Sequence, residues 1–559
     1  MPARTGAQYL EGLRSRPREL WYEGKRVEDP TEHPAFRNIT RSVAALYDLQ
    51  HHPELRDEMT YPSPTTGQPV GLSFLIPRTV EDLVRTRRMM KRWADYSGGF
   101  MGRSPDYLNR ALVGYASAAD YCAELDPRFG ENIRRYYEFV RENDLCLTHT
   151  LINPQANRSV GPARQADPYL ACRVVQEDAQ GIVLRGARML ATLPTADEIL
   201  VFPSTLLKSG EEDAPYAFAV AVPCDAPGLR FQCRESFDYG RSAFDHPLGS
   251  RFEEMDAVVL FDDVRVPWDR VFLLRDVDRC NRAFAATGAV AFMAHQVVTK
   301  NVAKTEFLLG VASLIVDTIA IEGYQHVHEK MAEIIIVLEA MRAFLVASEV
   351  EAQPNRWGVL QPAWPPLDAA RNLYVRAYPR LVEILQQLGA SGFMAIPTEK
   401  DLQGPMGPTI RRYYQAARAE ATERIKLFRL AWDIAVSAFG SRQVLYERFF
   451  FGDPVRMAGA MFQSYDRRPY MERVREFLEE VMRVVEQGVR RGTLAEVDPE
   501  VVVRALGALT RGMVLFDRYD PKPLFERYPV EEVARQVARF VLYGLLPRVP
   551  AEPAPGGQP

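Results

Sequence analysis

GIVLRGARML, Gly181 to Leu190, is short, rich in apolar residues and bounded by turn residues, so it reads as a strand. The same reading holds for YAFAVAVP (216–223), LRFQCR (229–234) and MDAVVLFDDVRVP (255–267), whose branched and aromatic residues favour extended backbone. From about Ala171 to Leu273 the chain therefore predicts a block of strands, an antiparallel barrel or sandwich.

On both sides of this block the period is helical. Up to about Leu147 the chain reads as helices: a start signal at Thr79 opens TVEDLVRTRRMMKRWADYS, the pair Gly98-Gly99 breaks it, and a second helix runs from Pro105 toward Cys122. In GRSPDYLN (102–109), Ser104 is placed to cap that helix, Pro105 suits its first position and Asp106 suits its dipole, whereas Arg103 and Tyr107 serve none of these ends. From about Phe284 long helical patterns return: 284–319, VHEKMAEIIIVLEAMRAFLVASEVEA and YQAARAEATERIKLFRLAWDIAVSAF. Their apolar surface is broad enough for an antiparallel bundle that also packs on further subunits. Three more helical patterns follow in 471–546, and the Pro/Gly-rich tail 547–559 is expected to be disordered.

The expected class is α+β, in five parts: a helical domain (1–150), a central β domain (151–280), a helix bundle (281–470), an extra helical segment (471–546) and the tail. Composition narrows the function. Basic and acidic residues, 69 and 73 of 559, are interspersed, so no footprint for nucleic acid stands out. The N-terminal stretch has no signal-peptide core, and the longest apolar run, FLLGVASLIV (307–316), is too short for a membrane span. A soluble, cytoplasmic protein is expected. Six cysteines are scattered singly, with no ligand spacing, so no metal site is expected.

No GxGxxG after a strand, GxxxxGK[ST], HExxH or GxSxG occurs. A redox enzyme of this sequence would therefore receive a reduced cofactor made elsewhere. In LTHTLINPQANR, His149 precedes a turn at Asn153-Pro154, and Gln155, Asn157 and Arg158 follow. An imidazole suits a phenol-like hydroxyl and Arg158 suits a phosphate, although the stretch also reads as a capped helix end with a structural histidine. Thr192 closes one strand and Ser204-Thr205 the next, as pocket-mouth or turn hydroxyls. In FFFGDPVRM, Gly452, Asp453, Pro454 and Val455 form a helix start whose free N–H groups would meet ligand oxygens. His246 and His295 read as structural.

Together GRSPDYLN, THTLINPQANR, RGARMLATLPTADEILVFPSTLL, FDHPL, EEMDAVVLFDDVRVPWDRVF, AATGAVAFMAHQVV and LYERFFFGDPVRM resemble the oxygenase components of the 4-hydroxyphenylacetate 3-monooxygenase family, over about Thr5 to Tyr470. The resemblance implies an acyl-CoA-dehydrogenase-like fold (helical domain, antiparallel β-barrel, helix bundle), assembled as a homotetramer. It implies a two-component phenol hydroxylase: a separate NAD(P)H-dependent flavin reductase supplies FAD as FADH2, and O2 provides the oxygen placed ortho to the phenol hydroxyl. Arg103, Tyr107 and His149 match residues around the phenol, and Ser204 and Thr205 those near its side-chain carboxylate. His149, Thr150, Leu151, Gln155, Ala156, Asn157, Arg158, Thr192, Gly452, Asp453, Pro454 and Val455 match flavin contacts.

The related 4-hydroxybutyryl-CoA dehydratases hold an iron–sulfur cluster with a pair of cysteines four apart in this helix region. Arg103 and Tyr107 stand there instead, which argues against dehydration. No family motif supplies the catalytic glutamate of an acyl-CoA dehydrogenase. The segment 471–546 resembles the ligand-binding and dimerisation region of TetR-type regulators, without the helix-turn-helix that DNA binding needs.

Overall fold

The computed structural model describes residues 3–203, 207, 210–491, 529 and 532. Two compact units divide the chain, Met1–Met461 and Phe462–Pro559. Ser204, Thr205, most of 471–546 beyond Arg491, and the tail lie outside the described residues.

The longer helices are α1 (Gly6–Ser15), α2 (Arg37–Leu49), α3 (Val80–Tyr96), α4 (Pro105–Ser117), α5 (Pro127–Asn143), α6 (Ala289–Thr318), α7 (Gln325–Val350), α8 (Trp364–Gly389), α9 (Ala421–Ala435), α10 (Ala438–Phe449), α11 (Pro454–Ser464) and α12 (Arg468–Arg490). Thr79 starts α3 with a reciprocal capping box to Asp82. Gly98 and Gly99 both adopt left-handed backbone, which ends α3 at little cost because they lack a Cβ. Ser104 does not cap α4. Its hydroxyl donates to the Asp106 carboxylate instead, and the start of α4 rests on Pro105 at its first position.

The strands are β1 (Glu19–Tyr22), β2 (Lys25–Val27), β3 (Thr60–Pro62), β4 (Pro69–Gly71), β5 (Leu147–Thr150), β6 (Arg173–Asp178), β7 (Gly181–Thr192), β8 (Glu198–Val201), β9 (Phe218–Pro223), β10 (Leu229–Cys233), β11 (Asp256–Pro267) and β12 (Val271–Leu274). A six-stranded sheet runs β2-β1-β10-β11-β7-β6 and a four-stranded sheet β12-β9-β8-β5. The pairing is not the wholly antiparallel one that the sequence leads one to expect. The two main sheets are mixed, since β1 pairs parallel with β10 and β5 with β8, and they adjoin where Ile152, just past β5, bridges Met189 of β7. The cause is that β1 and β5 come from the segment before the strand block, and parallel pairing accommodates such long crossovers. Residues 1–147 are thus not purely helical.

On β11 the buried side chains are Ala257, Val259 and Phe261, then Val264 and Val266, a switch of parity. A bulge between Phe261 and Val264, with Asp263 left-handed, absorbs the extra residue and keeps the apolar face inward. In the bundle, α6 is buried on nearly all sides over Ala289–Thr305. Helix α8, not expected from the sequence pattern, carries an internal Pro379. The third expected bundle helix divides at 436–437 into α9 and α10. Among the described residues no helix is long and apolar enough to cross a membrane, and the six cysteines are free and buried.

Candidate functional site

Between α3 and α4 the chain is pinned by one carboxylate. Glu254, fully buried just before β11, accepts the N–H of Gly102 (3.0 Å) on one oxygen and the N–H of Arg103 (2.6 Å) on the other. Arg442 of α10 lies 3.5 Å from Glu254 and reaches Asp256 with Nε (3.0 Å) and Nη2 (2.7 Å). Asp256 also receives Arg234 Nε at 2.9 Å and the Thr192 hydroxyl at 2.7 Å. Burial alone would raise the Asp256 carboxyl, but Arg442 and Arg234 hold it well below the usual carboxylate range. One ionic frame thus ties the start of α4, the end of β7 and α10 together.

The Arg103 guanidinium stands over three rings, 4.1 Å from the centroid of Phe450, 4.2 Å from Tyr107 and 5.3 Å from Tyr446. Its Nε and Nη1 are buried without a hydrogen-bond partner. The ring of Tyr107 lies 5.8 Å from His149 and 5.4 Å from Phe450. His149 sits in β5 opposite Leu200, so it belongs to a strand and not to the capped helix end that the sequence also allowed. Its imidazole makes no hydrogen bond among the described residues. Burial, and then the Arg103 charge, push its pKa well below the ordinary value, so the ring is neutral and offers one donor and one acceptor nitrogen. Burial raises the Tyr107 phenol, against the opposing effect of Arg103.

Next to this cluster, Thr150 donates to Met189 O (2.7 Å), and Arg188 Nη1 holds Leu151 O (3.0 Å) and Asn153 Oδ1 (2.7 Å). Leu190 and Leu193, on either side of Thr192, are left-handed, at φ 60 and 66. Leucines cost about 1–2 kcal/mol each in that conformation, so the frame holds a strained turn at the end of β7. Gln155, Ala156, Asn157 and Arg158 lie together in an exposed loop, where Asn157 Oδ1 takes the Ser159 N–H and Gln165 holds Asn157 O. Arg158 makes no ion pair among the described residues.

Gly452 is left-handed and leads into α11, two residues after Phe450. The Val455 N–H there is not free: the Asp453 carboxylate takes it at 3.1 Å. At Val455, then, the expected open N–H is already satisfied by a capping carboxylate. Of the sequence-predicted residues, Arg103, Tyr107 and His149 come together, Thr192 joins them through Asp256, and the loops 155–158 and 452–455 form two further surfaces. Phe202, which packs 6.0 Å from His149, leads toward Ser204 and Thr205. Sequence reasoning missed Glu254, Arg442, Tyr446 and Phe450; the acidic run EEMD ahead of a strand was the available signal.

The family model described as 4-hydroxyphenylacetate 3-hydroxylase N terminal matches residues 5–273, and its C-terminal counterpart matches 280–479. The chain belongs to the 4-hydroxyphenylacetate 3-hydroxylase family. Within it, the 4-hydroxyphenylacetate 3-monooxygenase oxygenase component of Thermus thermophilus is 56% identical over 485 residues, covering 87% of this chain and 99% of that protein. A 4-nitrophenol 2-monooxygenase oxygenase component from Rhodococcus is 34% identical over 464 residues, covering 80% and 86%. A crystal structure of such a 3-monooxygenase oxygenase component complexed with FAD and 4-hydroxyphenylacetate superposes with a TM-score of 0.83 at 56% identity, over 86% of this chain and 99% of that one. An archaeal 4-hydroxybutyryl-CoA dehydratase shares the hydroxylase fold at TM-score 0.76 and 22% identity.

Proposed function

We propose that this chain is the oxygenase of a two-component monooxygenase, taking FADH2 from a separate NAD(P)H-dependent flavin reductase and using O2 to hydroxylate 4-hydroxyphenylacetate, or a related 4-substituted phenol, ortho to its hydroxyl. The observation that carries this reading is Arg103, with two buried and unpartnered nitrogens, beside a neutral His149 and an aromatic wall. Buried donors without acceptors are costly, and a phenol oxygen meets that need.

The residues present fit both ligands. Arg103, Tyr107 and His149 surround the phenol, and Ser204 and Thr205 are assigned to its carboxylate by the resemblance alone. Leu151, exposed Leu190 and the hydroxyls of Thr150 and Thr192 suit an isoalloxazine ring: each threonine donates to the protein, to Met189 O and Asp256, and keeps lone pairs for a ring N–H. His149 also reaches this side. Gln155 to Arg158 suit the pyrophosphate, and Gly452 to Val455, with the Asp453 acceptor, suit donor groups. Reduced flavin, when bound, supplies the activated oxygen atom.

The chain's own part is to prepare the phenol. A ring nitrogen of His149 accepts the hydroxyl proton while Arg103 donates to the phenol oxygen, which drives electron density onto the ortho carbon. Tyr107, Phe450, Tyr446 and Phe202 keep water out. Arg103 and Tyr107 are not ligands for an iron–sulfur cluster, so dehydration is disfavoured.

Support for a homotetramer comes from exposed apolar residues on the bundle, among them Leu314, Ile335, Ile336, Val346 and Val350. The five-part division and cytoplasmic location belong to the same reading, as does a helical module without DNA binding at 471–546. The test is oxygen incorporation across a phenol panel with FADH2 from an added reductase, with sedimentation for the oligomer. Folded, flavin-binding Arg103→Ala or His149→Ala chains that hydroxylate at the parent rate would refute the assigned roles.

A further inference from the structure

Behind the Arg103 wall lies a second group of charges. Helix α6 presents Lys300 and Lys304, one turn apart and both buried, to the single carboxylate of Glu447 on α10. Lys300 Nζ contacts Glu447 Oε1; Lys304 Nζ lies 2.7 Å from the same oxygen and 2.8 Å from Gln443 Oε1. With both amines protonated, two ammonium groups face one carboxylate, and Glu254 is the next negative charge that acts on them. Burying such an arrangement is expensive, so it is not explained by stability.

The groups facing the pair come from every neighbouring element. On α10 these are Glu447, Gln443 and Tyr446; ahead of α4, Phe100 and Arg103; on α8, Tyr378, whose ring centroid is 4.7 Å from Lys304 Nζ. The remaining carboxylates, Glu254 and Asp256, are engaged by Arg442. Lys300 Nζ stands 5.5 Å from the Tyr446 centroid and 5.6 Å from that of Phe450, the same two rings that Arg103 covers. Burial lowers both lysines, Lys304 to about 7, while the two cations overcome burial at Glu447 and hold it at about 2.

We propose that Lys300 and Lys304, sharing Glu447, supply the positive charge that makes this site take its phenol as the phenolate. The inference rests on the hydroxylase reading. The phenol O–H bond breaks, its electron pair stays on oxygen, and the proton passes by way of the His149 ring nitrogen to solvent. Lys300 is a positioning residue that acts across the Tyr446 and Phe450 rings without touching the phenol. The favoured substrates are then the more acidic 4-substituted phenols, such as those bearing nitro or halogen groups.

4-Nitrophenol is the suitable probe, because it ionises near pH 7 and its anion absorbs visibly. With the FAD-loaded chain, whose own spectrum is subtracted, bound nitrophenol is titrated between about pH 5 and about pH 7; Lys304 is mostly charged over the lower part of that range and begins to neutralise toward about pH 7. The bound midpoint is expected below that of free nitrophenol. Lys300→Met, which leaves Glu447 paired with Lys304, is expected to raise that midpoint by about one pH unit, from one charge at roughly 10 Å and an effective dielectric constant of about 20. Lys304→Met should do the same and Lys300→Arg should restore the original value. An unchanged midpoint in folded Lys300→Met and Lys304→Met chains overturns the inference alone, as does a chain that binds 4-hydroxyphenylacetate but rejects nitrophenolate. A chain that binds no phenol overturns the hydroxylase reading and the inference together.

Discussion

Gly102→Ala is the smallest change that should disable the site. A Cβ built at Gly102 falls 2.3 Å from Oη, 2.4 Å from Cζ and 2.5 Å from Cε1 of Tyr446. Ordinary carbon contacts are about 3.5–4 Å, so the ring must retreat by about 1 Å or more. It has little room, because Tyr446 is packed against Phe450 at 5.0 Å and under the Arg442 guanidinium at 4.8 Å. If the backbone yields instead, the Gly102 and Arg103 N–H bonds to Glu254 open. Overpacking of this kind costs about 1–3 kcal/mol of stability. A displacement of about 1 Å at the group that positions the phenol costs roughly 100-fold in kcat/KM. The assay is catechol formation with FADH2 from a reductase, run beside a thermal melt and an FAD titration. Because the residues assigned to the flavin lie on β5, β7 and two loops, FAD affinity should change little while kcat/KM falls. Tyr446→Leu in the Gly102→Ala background removes the obstructing ring and should recover part of the melting temperature. A Gly102→Ala chain with unaltered kcat/KM would refute the role given to the Gly102–Tyr446 contact.

Glu254→Gln replaces one of two acceptor oxygens by an NH2 that faces a backbone N–H, leaving a buried donor orphaned at a cost of about 1–3 kcal/mol; a lower melting temperature and a raised KM for the phenol are expected, and if neither moves, Glu254 does not hold Arg103. Lys304 titrates at about 7 in the fold but near about 10.4 when unfolded. Between these values the unfolded chain binds more protons, so this group makes stability rise with pH from about 7 to about 10. Lys304→Met should flatten that rise in urea midpoints measured across the range, and parallel profiles would contradict the burial argument. The family match ends at residue 479, so a chain ending at Arg491 is expected to hydroxylate at the full-length rate; a large loss would show that the C-terminal extension supports the site.

Where physics is local, the sequence alone was enough. The Thr79 capping box, the break at Gly98-Gly99 and the strands β7, β9, β10 and β11 rest on cap chemistry, left-handed glycine and the clustering of branched and aromatic residues within a few positions. The motifs within and around the strand block were sufficient for the family, because each motif is contiguous. Tertiary structure decided the rest. Strands β1 and β5 paired parallel across long crossovers, so the sheets are mixed where antiparallel pairing was expected. Ser104 donates its hydroxyl to Asp106 instead of accepting a backbone N–H as a cap, a choice that spacing does not rank. The Val455 N–H, open on paper, went to Asp453. Glu254 accepts the N–H groups of residues 151 and 152 positions away, and Glu447 meets lysines 147 and 143 positions away. Such pairs leave no periodic trace, because a buried charge is defined by the partner that folding brings to it rather than by its neighbours in the chain.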